Sequence, residues 1–103
     1  MTKLNINLSE VKSPVSRRAV SSYEWFIFHA VTNSRNILPY VKANSVNDAV
    51  MTVVSTELKR LSAEDRKNTS AIDASIQAIT QILTDGVDIA STTDVTNYID
   101  SLE

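Results

Sequence analysis

The chain has 103 residues, 43% of them hydrophobic and 21% charged, and carries a formal net charge of −2. That is room for one domain with a modest core, and the composition is far from that of disordered chains. The absence of cysteine excludes disulfides, thiolate nucleophiles, zinc knuckles and iron–sulfur sites together, while a single glycine (Gly86) and a single histidine (His29) exclude glycine-rich phosphate loops and histidine metal clusters.

Serine, threonine and asparagine number 31, an excess of short polar side chains that favour caps and turns. The opening MTKLNINL is too polar and too short for a secretory signal, and the longest apolar stretch, residues 25–28, is far short of a membrane span. These features predict a soluble, cytoplasmic chain (host cytoplasm or virion if the source is viral).

Leu4, Ile6 and Leu8 alternate with Asn5 and Asn7, the period of a strand. No second convincing strand follows to pair with it, so residues 1–12 are expected to form an extended arm, packed on the helices or on another chain. A helical body, residues 13–103, completes a single domain.

Ser13 and Pro14 read as N-cap and first helical residue. Val15, Ala19, Tyr23, Phe26 and Ala30 then recur at helical spacing, with Val20, Ile27 and Val31 widening the stripe. The run from Tyr23 to Phe28 is apolar nearly all round, as in a central core helix or one whose second face is covered by a partner. Trp25 and Phe28, three residues apart and off the core stripe, are the expected interface anchors together with Leu4, Ile6 and Leu8. Asn33 to Asn36 interrupt the pattern and Pro39 disfavours helix at Leu38, so residues 37–41 are expected as a buried turn or short helical piece.

Ser45, with Asp48 three residues on, starts a helix bearing Val46, Val50, Val53, Val54, Leu58 and Leu61. Ser62 and Asp65 repeat the start signal before Ile72, Ile76, Ile79, Ile82 and Leu83, and Asp85-Gly86 closes that helix. A break at Ser62 makes an antiparallel hairpin with a tight elbow. Without it, residues 46–84 would form one rod roughly 58 Å long that could scarcely exist outside an oligomer. The hairpin is the preferred reading. Ser91 to Asp94 starts a last helix presenting Val95, Tyr98, Ile99 and Leu102 on one face. The expected fold is all-α: three to four helices in a small bundle around Phe26, Val50, Val54, Leu58, Ile72, Ile76 and Ile79, with the N-terminal arm outside it.

Little in the sequence supports chemistry. Ser22 and His29 are seven residues apart, about 10.5 Å of helical rise, too far for a nucleophile and its base. His29 is expected half-buried among aromatics. Asp85, Asp88 and Asp94 lack the spacing of a calcium loop, and capping or solvation accounts for all three. No catalytic residue, cofactor or metal site is expected, no small-molecule substrate, and no membrane association; the chain is read as non-enzymatic.

Charge is unevenly spread: residues 1–42 carry a net +4 and residues 43–103 a net −6. Such halves suit intramolecular docking or head-to-tail association of subunits. They also permit a second reading, a small nucleic-acid-binding or transcription-regulating helical domain, with Arg17, Arg18 and Arg35 on phosphates and Tyr23 or Trp25 stacking on bases. Overall acidity and the lack of a compact basic stripe weigh against it. Lys59-Arg60 and Arg66-Lys67 bracket the elbow, with Glu64 and Asp65 between, as a solvated, salt-laced turn. The first expectation is a protein–protein interaction or assembly subunit, self-associating or bound to another protein, of the kind found in viral particles or among phage-encoded, host-directed accessory proteins.

Overall fold

A computed structural model describes residues 8–13 and 20–102. Among these, all regular structure is helical: α1 (Ser22–Ile37), α2 (Val46–Glu57), α3 (Ala63–Lys67), α4 (Thr69–Asp85) and α5 (Thr92–Leu102), with single 3₁₀ turns at Leu8–Val11, Leu38–Tyr40, Lys42–Asn44 and Leu58–Arg60.

The all-α expectation holds, and among the described residues the α-helices are five rather than three to four. The additional one comes from a second break. Asn68 leaves the helical region (φ −82°, ψ 83°), and its side chain accepts from the Ala71 amide at 3.1 Å. An asparagine read as helix interior acts instead as an N-cap, because its short amide competes for backbone donors. The break at Ser62 is present, with the Asp65 amide donating to Ser62 Oγ at 3.1 Å, so residues 46–84 are no rod. Ser45 caps α2 in the same way through the Asp48 amide. Gly86 ends α4 in the left-handed conformation (φ 70°, ψ 31°).

Two boundaries of the first helix differ from the sequence reading. Val20 is non-helical and Ser21 is extended (ψ 158°), so no helix runs unbroken from Ser13; Ser21 is the N-cap of α1. The proposed start residue Pro14, with Val15 and Ala19, lies outside the described residues. At the other end α1 continues through Asn33–Asn36 to Ile37. Asn33 donates to Glu57, Ser34 is buried, and Arg35 donates to the Val87 carbonyl, so tertiary contacts outweigh weak helix propensity there. Of the expected extended arm, Leu8 to Val11 form instead a 3₁₀ turn with Leu8 and Val11 buried; Leu4 and Ile6 lie outside the described residues.

The core gathers Phe26, Ile27, Ala30 and Val31 from α1, Val50, Val53 and Val54 from α2, Ala71, Ala74, Ala78, Ile79 and Ile82 from α4, and Val95, Tyr98, Ile99 and Leu102 from α5. Leu58, Ile72 and Ile76, placed in the core by the sequence pattern, sit partly buried at its margin. α4 packs against α1, α2 and the N-terminal turn. Its small residues Ala71, Ala74, Ser75 and Ala78 are all buried and permit close approach of its neighbours.

α1 and α4 run in the same direction. At one end Tyr23 Oη donates to the Asp65 carbonyl at 3.0 Å, and at the other Arg35 donates to the Val87 carbonyl. No helix among the described residues is long and apolar enough to cross a membrane.

Candidate functional site

The features that could serve function lie along α1. Its first turn is set by a capping box: Ser21 Oγ accepts from the Glu24 amide at 3.1 Å, and Glu24 Oε1 accepts from the Ser21 amide at 3.0 Å. The same Oε1 also accepts from the amide and hydroxyl of Ser13, at 3.1 and 2.9 Å. Oε2 accepts from Thr96 Oγ1 of α5 at 2.6 Å. Glu24 is wholly buried, and every donor among these bonds is neutral. Burial alone would raise its pKa; the bonds from Thr96, Ser21 and Ser13 outweigh that and hold the carboxyl below its ordinary 4.5. The S-x-x-E pattern at Ser21–Glu24 is a visible capping signature that the stronger Ser13-Pro14 signal obscured.

One residue on, the helix presents aromatics. Trp25 is 46% exposed, while Phe28 and His29 are half-buried. The indole lies 6.0 Å from the Phe28 ring and 4.6 Å, edge to face, from the His29 ring; Phe28 and His29 are 5.4 Å apart. His29 Nε2 has no hydrogen-bond partner among the described residues. The histidine thus sits among aromatics, as the sequence suggests. Ser22, the only hydroxyl considered with it, donates instead to Asp65 Oδ2 at 2.7 Å and serves to anchor α3.

The other residues singled out by sequence are scattered. Leu8, expected on an interface, is 4% exposed and packs with Val11 in the chain's own core. Arg17 and Arg18 lie outside the described residues. Arg35 is tied to the Val87 carbonyl and so fastens the end of α1 to the segment after α4. Asp85 accepts from Gln81 Nε2 at 2.9 Å, a side-chain pair one turn apart on α4, and Asp94 accepts from the Ala90 amide at 2.7 Å beside the start of α5. Among the described residues no three histidine or carboxylate side chains converge as a metal site.

A second buried carboxylate went unnoticed in the sequence. Glu57, 2% exposed at the end of α2, accepts from Asn33 of α1 and from Arg60. It ties α1 to α2 and neutralises one of the elbow cations. No family model matches the chain, and neither a curated protein nor a solved structure is found that matches it.

Proposed function

We propose that the chain is a non-enzymatic assembly subunit that associates with a second copy of itself through the Trp25–Phe28 face of α1. The observation that carries this reading is the exposed indole. Burying a large apolar side chain is worth roughly 1.5–3 kcal/mol, and interface anchors are typically such aromatics, rigid and set in a ring of partly buried neighbours. Phe28 and His29 provide that ring here, and their packing fixes the indole before a partner arrives. Opposite net charges on the two halves of the chain suit contact between the positive region of one copy and the negative region of another. Against the nucleic-acid reading, Arg35 is already engaged with a carbonyl of its own chain.

Sedimentation velocity on the full chain at two salt concentrations, with and without duplex DNA, tests the proposal. The expected result is a mass above the monomer that falls as salt rises and is indifferent to DNA. A monomer at every concentration, or a tight and salt-steep DNA complex, overturns it.

A further inference from the structure

We infer that the N-terminal turn and α5 form one strap across the start of α1, docking and undocking as a unit, with the Glu24 carboxylate as their shared fastening. Residues 8–13 and α5 are far apart in sequence, yet they meet at two adjacent points. Ser13 and Thr96 both donate to Glu24, the first to Oε1 and the second to Oε2. Their near neighbours in sequence, Lys12 and Asp100, form an ion pair at 2.8 Å. Each piece therefore contacts the other directly and also through one buried charge.

The coupling follows from the chemistry of that charge. Hydrogen bonds to an ionised group are roughly twice as strong as neutral ones, and they are stronger still where water is excluded. If α5 leaves, Oε2 loses Thr96 and water reaches the carboxylate, which weakens the bonds from Ser13 on the other oxygen. If residues 8–13 leave, the same reasoning runs toward Thr96. The N-terminal turn also rests on α4, but α2 does not depend on this fastening: it is packed by α1 and α4 and is joined to α1 separately through Asn33 and Glu57. An undocked α5, about three turns long, is too short to stay helical by itself, so its opening registers as amide exchange.

Hydrogen–deuterium exchange of the full chain, read on peptides covering residues 8–13, α5 and α2, tests the inference. Thr96→Val keeps the side-chain shape and removes only the α5 donor. It is expected to speed exchange about tenfold in α5 and by a similar factor at residues 8–13, with α2 unchanged. Ser13→Ala, which removes the hydroxyl donor on the opposite side and keeps the amide, should loosen α5 as well. Glu24→Gln, neutral and of the same shape, should loosen both. Loosening confined to the mutated segment, or a rise in α2 along with the other two, overturns the inference.

Discussion

Thr96 and Glu24 stand 72 residues apart in the sequence, and the Thr96 hydroxyl donates to Glu24 Oε2 across 2.6 Å. With Ser13 and Ser21 on the other oxygen, this bond completes a shell of neutral donors around a carboxylate from which solvent is excluded. A buried charge without its donors is strongly destabilising; with them it is held more firmly than in water.

The first prediction is a pH dependence. A carboxyl whose pKa is depressed in the folded chain stabilises the fold above its unfolded value and loses that contribution as pH falls through the folded value. The wild type is therefore expected to exceed Glu24→Gln in unfolding free energy by about 1–3 kcal/mol at neutral pH. The gap should close progressively below pH 4.5. Urea titrations followed by far-UV circular dichroism at several pH values measure it. A gap independent of pH would mean that Glu24 acts through shape rather than charge.

Tyr98 predicts the opposite edge of the stability curve. Burial first, and then the nearby Asp85 carboxylate, push its phenol up to about 12. A raised folded pKa gives a contribution that is complete below the unfolded value of 10.0 and is lost as pH climbs toward 12. Thermal unfolding should thus show a fall in stability through that alkaline window, shallower in Tyr98→Phe. An equal fall in the variant would place the titration elsewhere.

Gly86 isolates a purely conformational cost. Its φ is +70°, and a Cβ added there meets nothing within 4 Å. Gly86→Ala should lower stability by about 1 kcal/mol through backbone strain alone, with Gly86→Asn costing less. Paired melting curves check this; equal stability of wild type and alanine variant would show that the turn relaxes freely.

Trp25→Ala is expected to weaken self-association by at least tenfold while leaving the helical circular dichroism of the monomer unchanged. Concentration-dependent sedimentation supplies the first quantity and far-UV spectra the second. A variant that unfolds as a monomer would place the indole in the chain's own core.

Local signals read well in this sequence and tertiary ones did not. Ser45, Ser62 and Gly86 each declare a helix end through a bond to a residue within a few positions, so spacing alone finds them. The α5 face of Val95, Tyr98, Ile99 and Leu102 is likewise a pattern within one helix, and all four are buried. Asn33 to Asn36 read as a break because propensity sees only the segment, whereas their partners Glu57 and Val87 come from elsewhere in the chain. The Glu24 shell is of the same kind: its capping half was visible at Ser21, and Ser13 and Thr96 were beyond any local window.

The parallel alignment of α1 and α4 is clamped at both ends by bonds with one property in common. Tyr23 and Arg35 supply side-chain donors, but the acceptors are the main-chain carbonyls of Asp65 and Val87. A carbonyl persists whatever side chain its residue bears, so a substitution at 65 or 87 leaves the acceptor of each clamp in place, provided the backbone path is kept. The mutational vulnerability is one-sided. Register between the two helices is inherited through α1: loss of the hydroxylated ring at 23 or the cationic donor at 35 removes a clamp, whereas a change at 65 costs the bond from Ser22 and one at 87 costs core packing, with both clamps still in place.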